Sequence, residues 1–246
     1  MINNDLSHKV ERLSYYMNKL IKLHNDIVDL TWGGDKGLQE WVCAQPFNRI
    51  DIFEGGIVSS CCLYRIKYGS YFGNAFDKSF EEIWNSENAK RHRYAVLKGN
   101  FEYCDRICPV LRNPSANPEI MFSRKTFAGG ENYKTWHDCS LSTGPSYINI
   151  CFDRSCNLSC PSCRERVMNN SDENNKKITD LLKKVVRPAL KNCIWLKASS
   201  SGEFFASKPL FEFYKTLTPE EFPLLKLIIF TNGTLFTPER WNKLHN

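Results

Sequence analysis

Cysteine constrains this chain more than any other residue type. The 246 residues include 11 cysteines, and the N-terminus begins Met1-Ile2-Asn3 without the charged and apolar pattern of a secretion signal. We therefore expect a cytoplasmic location, where a reducing environment disfavours disulfides. An odd number of cysteines also prevents complete pairing. These cysteines are expected to be metal ligands or catalytic groups.

Seven cysteines fall into two sets whose spacings suit a metal. The downstream set is Cys156, Cys160 and Cys163. The upstream set is Cys43, Cys61 or Cys62, Cys104 and Cys108. Adjacent cysteines are not both needed for four-coordination, and we favour Cys61. The remaining cysteines, Cys139, Cys151 and Cys193, are interpreted as core or spare residues.

Composition and charge suit an ordinary soluble globular protein, at 42% hydrophobic and 24% charged residues. The longest apolar run, Leu224 to Phe230, is interrupted by Lys226 and is strand-sized, so no membrane association is expected. The net charge of +6 is scattered, and the cluster Lys90-Arg91-His92-Arg93 is interpreted as a solvated helix face. A nucleic-acid partner is therefore unsupported.

The first part of the chain combines helices with a short hairpin. Apolar residues at three- and four-residue steps predict a helix over residues 8–30. Strands are predicted over Phe47 to Phe53 and Ile57 to Cys62, joined by a Glu54-Gly55-Gly56 turn. Residues Ser79 to Leu97 predict one helix, opened by a Ser79–Glu82 capping box. Proline and glycine punctuate a linker over residues 113–145, which separates a domain over residues 1–112 from one over residues 146–246.

From Tyr147 onward, strands and helices alternate. The predicted strands are Tyr147 to Asp153, Ile194 to Ser199 and Leu225 to Thr231. Helices are predicted around Ile178 to Leu190, over Leu210 to Leu217 and from Pro238. This alternation predicts a parallel sheet with right-handed crossovers. The cysteine triplet, Gly202-Glu203 and Thr231-Asn232-Gly233 each follow a strand, so all three are expected to meet at the carboxyl edge of the sheet.

The triplet has the spacing of a ligand set for an iron–sulfur cubane. Cys156, Cys160 and Cys163 can each bind one iron, which leaves the fourth iron without a protein ligand and open to a substrate. The alternative is a zinc site, which needs a fourth ligand such as Cys151 or Cys193.

The Cx3Cx2C segment after a first strand resembles the signature of radical S-adenosylmethionine (radical SAM) enzymes. Ser201-Gly202-Glu203 and Thr231-Asn232-Gly233 are similar to that family's motifs after the second and third strands. The resemblance implies that a 4Fe–4S cluster on the triplet binds SAM and cleaves it reductively to a 5′-deoxyadenosyl radical, with Gly202, Glu203, Thr231 and Asn232 in SAM binding. It also implies an α/β fold with a partial (β/α) barrel, of which this chain holds only the first half.

The sequence departs from that family's pattern at two positions. Ser162 stands where an aromatic residue usually packs on adenine, and Ser201 replaces a glycine. No catalytic residue is assigned, and the substrate is unknown. An alternative interpretation is a non-catalytic zinc or iron–sulfur binding module with a truncated radical SAM fold.

The upstream segment resembles the SPASM/twitch type of auxiliary-cluster domain, here a small α+β cysteine-rich unit that precedes the barrel. The resemblance rests on Cys43-Ala-Gln-Pro-Phe47, Gly56-Ile-Val-Ser-Ser-Cys61, Ser79-Phe-Glu-Glu-Ile-Trp84 and Cys104-Asp-Arg-Ile-Cys108. It implies an auxiliary 4Fe–4S cluster, although four thiolates also suit zinc. It further implies an electron donor such as flavodoxin or ferredoxin and a peptide or protein substrate.

Overall fold

A six-stranded sheet organises the chain in the computed structural model, which describes residues 37–61, 70–105, 108–127, 135–198 and 201–244. The strand order is β4-β3-β2-β6-β7-β8, and β1 pairs with β5 in a separate two-stranded sheet. The strands are β1 Trp41–Cys43, β2 Arg49–Phe53, β3 Ile57–Ser59, β4 Tyr71–Asn74, β5 Met121–Ser123, β6 Tyr147–Cys151, β7 Trp195–Ala198 and β8 Lys226–Ile229. The predicted helix over residues 8–30 and the predicted ligand alternative Cys62 lie outside the described residues.

The predicted parallel sheet is confirmed, because β6, β7 and β8 pair in parallel. Strand β2 adds in parallel to the other edge of β6, with Arg49 opposite Tyr147 and Phe53 opposite Cys151. Pairing between β2 and β6 joins segments from either side of the predicted linker, and β5 lies within that linker. The domain boundaries themselves stay a prediction.

The predicted hairpin is confirmed as β2 and β3, which pair antiparallel. Gly55 and Gly56 turn the chain with φ of 74° and 77°, a left-handed conformation that favours glycine. A Cβ at Gly56 would also lie 2.4 Å from Asn74 Oδ1. The predicted start of the first strand at Phe47 is wrong, because Phe47 belongs to a short helix that Pro46 favours near its N-terminus.

The helices and helical turns lie mainly between the strands. The α-helices are α1 Gln45–Asn48, α2 Phe80–Trp84, α3 Glu87–Leu97, α4 Pro109–Arg112, α5 Asp172–Leu181, α6 Arg187–Ala189, α7 Lys208–Lys215 and α8 Pro238–Asn242. The 3₁₀ turns are Leu38–Glu40, Glu54–Gly56, Pro114–Ala116, Trp136–Asp138, Leu190–Asn192 and Phe204–Ala206. None of these described helices is long and apolar enough to cross a membrane.

The helix predicted over Ser79 to Leu97 is instead two helices. The Ser79–Glu82 capping box is confirmed at the start of α2. However, α2 ends at Trp84, and Ser86 caps α3 by accepting a hydrogen bond from the backbone N–H of Ala89. A second N-cap serine therefore starts a new helix.

The helix predicted around Ile178 to Leu190 begins earlier and changes its pitch. Ser171 caps α5 through the N–H of Asn174. The chain continues from α5 through a π-helical segment, Leu182–Val186, into α6. Pro188 follows that segment, and its missing N–H and its ring disfavour regular α-helical bonding to the preceding turn.

The two faces of the sheet differ in character. Isoleucines from β2 and β6 point to one face and join the main apolar core with residues of α5 and α7. Alternation places Arg49, Asp51, Tyr147 and Asn149 on the other face. A smaller core containing Leu38, Val96, Phe101, Leu111 and Met121 lies around Cys43.

Candidate metal centres

The four upstream cysteines line one cavity of about 180 Å³. Cys43 is the last residue of β1 and Cys61 follows β3. Cys104 and Cys108 lie in turns after α3. The N–H of Cys104 donates a hydrogen bond to Phe101 O, and the N–H of Cys108 donates one to Asp105 O. Cys43 lies outside the β2–β3 hairpin, because α1 separates β1 from β2 and β1 pairs with β5.

The size of this cavity bears on which group its thiols can hold. Four thiolates bound to one zinc ion stand about 2.3 Å from it and close tightly around it. Within the described residues, no group of three or more His, Cys, Asp or Glu side chains is arranged to hold a single metal ion. Gln45 also lines the cavity, and its buried Oε1 has no hydrogen-bond partner among the described residues. Four thiols that line one cavity are a donor set that fits an iron–sulfur cluster, and four thiolates also suit zinc.

Burial keeps the thiols of Cys43 and Cys61 protonated when nothing binds them. Loss of solvation raises the pKa of Cys43 to about 12, against the lowering effect of a backbone hydrogen bond from Gln45. Loss of solvation also raises the pKa of Cys61, with smaller contributions from Cys43, Asp51 and Cys108. Thiols must lose their protons to bind a metal, so metal uptake here releases protons.

A buried charged network stands beside the cavity. Arg49 lines the cavity and donates to Asp51 through Nε at 2.6 Å and Nη2 at 2.8 Å. Asn149 donates a further hydrogen bond to Asp51 at 2.5 Å. Because this bidentate pair is charge-assisted, it fixes a positive group next to the thiols. Sequence reasoning missed Arg49, since its only signal was the alternation along β2.

The interpretation of Lys90 to Arg93 as a solvated face is wrong for two of its residues. His92 is 1% exposed and Arg93 is 0% exposed. Arg93 donates to the carbonyl oxygens of Pro46, Trp84 and Cys139, which satisfies its buried charge. Loss of solvation, aided by Arg93, lowers the pKa of His92 to about 3. Ala89, His92 and Val96 are spaced three and four residues apart, as on one face of a helix. This spacing was the sequence signal that His92 lies on the buried face of α3.

The downstream triplet lies on the loop after β6, at the carboxyl edge of the sheet. Cys156 is buried and exchanges two backbone hydrogen bonds with Met168, whereas Cys160 and Cys163 are exposed. A tight turn holds the last two together, with the N–H groups of Cys163 and Arg164 bonding Cys160 O. Three thiols on one constrained loop are a donor set that fits an iron–sulfur cluster.

Asp153 fixes the start of that loop. Its buried carboxylate accepts hydrogen bonds from the N–H of Ser155 at 2.8 Å, from Asn170 at 2.9 Å and from the hydroxyl of Ser207. Ser207 is also the N-cap of α7. Asp153 thus connects the start of the cysteine loop to the segment at Asn170 and to the N-terminus of α7. Sequence reasoning did not select Asp153, because a lone aspartate after a strand resembles an ordinary turn residue.

Gly202 lies directly against the backbone of the cysteine loop. A Cβ at this position would approach Asp153 O to 2.5 Å and Ser155 O to 2.7 Å. Next to it, the hydroxyl of Ser201 bonds Cys151 O at 2.7 Å. The glycine predicted to bind SAM thus has a structural role here, while its contact with SAM stays a prediction.

An arginine also links the cysteine loop to the loop after β7. Arg164 donates to Arg154 O at 2.7 Å and to Ser201 O at 2.9 Å. Its Nη2 also lies 3.5 Å from Cys163 Sγ. Arg164 therefore joins the cysteine loop to the loop after β7 and places a positive charge beside one thiol.

Glu203 connects the loops after β7 and β8. It is 1% exposed, and it accepts hydrogen bonds from the hydroxyl of Thr231 at 2.7 Å, the N–H of Asn232 at 2.5 Å and the N–H of Phe205 at 3.1 Å. The Asn232 amide lies 3.9 Å from Cys156 Sγ. The predicted meeting of the three loops is thus observed, whereas the binding of SAM by Glu203, Thr231 and Asn232 stays a prediction.

The cysteines outside the two sets occupy other positions. Cys193 is buried before β7, at the amino end of the strand, and its thiol donates to Trp195 O at 3.2 Å. That end lies opposite the triplet, so Cys193 does not complete a zinc site with it. Cys151 is the buried last residue of β6, and Cys139 lies in a small apolar cluster.

Comparison with known families identifies one segment. Residues 43–109 match the family model of SPASM, described as an iron-sulfur cluster-binding domain. The match begins at Cys43 and includes Cys61, Cys104 and Cys108, the residues that line the cavity. The chain has no match among curated proteins or among solved structures.

Proposed function

We propose that this chain is a radical SAM protein with an auxiliary iron–sulfur cluster. The auxiliary 4Fe–4S cluster is held by Cys43, Cys61, Cys104 and Cys108, and a second 4Fe–4S cluster is held by the downstream triplet. The observation that carries the proposal is the presence of two separate cysteine sites in one chain. One is the cavity lined by the four cysteines of the matched SPASM segment, and the other is the three-cysteine loop at the carboxyl edge.

The chemistry at the triplet depends on its bound group. A reduced 4Fe–4S cluster with SAM bound would supply the chemistry of this site, the reductive cleavage of SAM that yields methionine and a radical for hydrogen abstraction. The chain contributes position: Asp153 and Gly202 fix the loop that carries the thiols. Arg164 contributes charge, because its guanidinium stabilises negative charge on Cys163.

In this proposal Glu203 has two roles, one in positioning the β8 loop and one in binding SAM. Its hydrogen bonds to Thr231 and Asn232 hold the β8 loop over Cys156. A buried carboxylate can also bind an ammonium group through charge-assisted hydrogen bonds. The Glu203 carboxylate accepts three hydrogen bonds here, and a carboxylate has about four acceptor sites, so one site remains for the amino group of SAM.

The auxiliary site is proposed to transfer electrons or to stabilise the fold. Four cysteine ligands leave no iron open, which favours these roles over direct binding of substrate. The electron donor is proposed to be a flavodoxin or ferredoxin, and the substrate a peptide or protein. A non-catalytic iron–sulfur or zinc module is the second candidate, and the degenerate Ser201-Gly202-Glu203 motif favours it.

Formation of 5′-deoxyadenosine tests the proposal. The protein is reconstituted anaerobically with iron and sulfide, reduced with dithionite and incubated with SAM, and the products are quantified by chromatography. We expect 5′-deoxyadenosine from the native chain and from Cys139→Ala, which removes a thiol outside both sets. We expect none from Cys160→Ala. Equal product from Cys160→Ala and Cys139→Ala would contradict the assignment, and no product from any of them would favour the non-catalytic module.

A further inference from the structure

A histidine lies behind one of the four cavity cysteines. His92 on α3 is buried, and its Nε2 lies 3.8 Å from Cys104 Sγ. Its Nδ1 lies 3.5 Å from Ser60 Oγ. Both ring nitrogens therefore have a neighbour, and the ring joins the segment after β3 to the segment after α3.

Neighbouring rings hold the imidazole in this position. Tyr103 and Phe72 both contact it edge-on, with ring centroids at 5.8 Å and 6.1 Å. Because the ring is excluded from water, its hydrogen bonds are stronger electrostatically than they would be at the surface. A displaced ring would have to disturb the packing around α3.

The chemistry of a bound thiolate fixes the direction of these hydrogen bonds. A metal-bound Cys104 has no thiol proton, so its sulfur can only accept. A neutral imidazole carries a single N–H. Ser60 Oγ lies 3.5 Å from Nδ1 and can donate its hydroxyl proton there, which leaves the N–H on Nε2, facing the sulfur. The same hydroxyl is also a hydrogen-bond partner of Cys61.

We propose that His92 is a positioning residue that donates its Nε2–H to Cys104 and thereby raises the reduction potential of the auxiliary cluster, with Ser60 fixing the tautomer. This inference rests on the proposed function, because it requires an iron–sulfur cluster in the cavity. One electron from a donor adds negative charge that is shared with the ligand sulfurs. A hydrogen bond to sulfur stabilises that charge and favours the reduced cluster.

The test measures the midpoint potential of the auxiliary cluster by itself. The parent protein carries Cys156→Ala, Cys160→Ala and Cys163→Ala, so that reconstituted iron occupies only the upstream site. Redox titration is followed by electron paramagnetic resonance, and iron is counted in each sample. The added variants are His92→Phe, Ser60→Ala, Ser60→Thr and, as a control at an exposed histidine, His137→Phe.

We expect His92→Phe to keep its iron and to be about tenfold harder to reduce, which is about 59 mV more negative for one electron. Ser60→Ala should shift the potential in the same direction, because the other tautomer of His92 becomes accessible and the hydroxyl that also hydrogen-bonds Cys61 is lost. Ser60→Thr keeps the hydroxyl and should restore the parent value. The His137→Phe control should match the parent.

The remaining outcomes distinguish a failure of the role proposed for His92 from a failure of the proposed auxiliary cluster. Retained iron with an unchanged potential in both His92→Phe and Ser60→Ala overturns the role of His92 and leaves the proposed function standing. If His92→Phe loses its iron, the Ser60 pair decides, because those variants keep the imidazole. A parent protein that takes up zinc but no iron overturns the auxiliary cluster and the role of His92 with it.

Discussion

Replacing Gly202 by alanine tests the junction between the cysteine loop and the loop after β7. The new Cβ would lie 2.5 Å from Asp153 O and 2.7 Å from Ser155 O. Ordinary contacts begin at 3.4 Å, so the two backbones must separate by most of an ångström. That movement weakens the 2.7 Å hydrogen bond from the N–H of Glu203 to Ser155 O.

The expected cost follows from three contributions. Overpacking costs about 1–3 kcal/mol, and loss of the backbone hydrogen bond costs about 0.5–1.5 kcal/mol. Alanine also reduces the entropy of the unfolded chain, which returns about 0.4–1 kcal/mol. We therefore expect Gly202→Ala to lower the free energy of unfolding by about 0.5–4 kcal/mol.

Anaerobic urea denaturation, followed by tryptophan fluorescence, measures this change. Gly37→Ala is the matched control, because Gly37 has φ −68° and ψ −32° and a Cβ there would meet nothing within 4 Å. The control should be unchanged or slightly stabilised. If Gly202→Ala unfolds at the same urea concentration as Gly37→Ala, the close packing of the two loops is wrong.

Three further predictions follow from the same structure. Asp153→Ala leaves the three groups that donate to this carboxylate without their acceptor and should lower the free energy of unfolding by about 1–3 kcal/mol; an unchanged urea midpoint would contradict this. Ser86→Ala removes the N-cap of α3 and should cost about 1 kcal/mol, while a cost near zero would mean that the cap is unimportant. Iron uptake at the upstream site should rise as the pH rises from 7 to 9, because the pKa of Cys43 is raised to about 12 and that of Cys61 is also raised, so binding must displace protons. Iron titrations at several pH values check the last prediction, and uptake that falls or stays constant with pH would oppose it.

The parallel sheet and the meeting of its loops could be predicted from sequence because both depend on short-range patterns. Apolar runs and turn residues locate β6, β7 and β8, and their carboxyl ends must share an edge when the strands are parallel. The contacts of Glu203 with Thr231 and Asn232 follow from that topology. The hairpin at Gly55-Gly56 was equally local, since the turn requires glycine.

Other features depend on contacts between distant segments and left weak signals in the sequence. The addition of β2 to β6 joins residues about a hundred positions apart, and no local pattern encodes that pairing. The break between α2 and α3 arises because Ser86 competes as an N-cap within a helical pattern. His92 and Arg93 looked solvent-exposed because charged residues usually are, yet hydrogen bonds to distant carbonyl groups allow Arg93 to be buried.

The most direct test of the central claim is an iron count combined with electron paramagnetic resonance. The native chain and the Cys156→Ala, Cys160→Ala, Cys163→Ala variant are reconstituted anaerobically and reduced, and spectra are recorded with and without SAM. The account predicts about eight irons in the native chain and about four in the variant, because each 4Fe–4S cluster holds four. It also predicts that SAM changes the spectrum of the native chain alone. Stoichiometric zinc, with no signal that responds to SAM, would contradict the account.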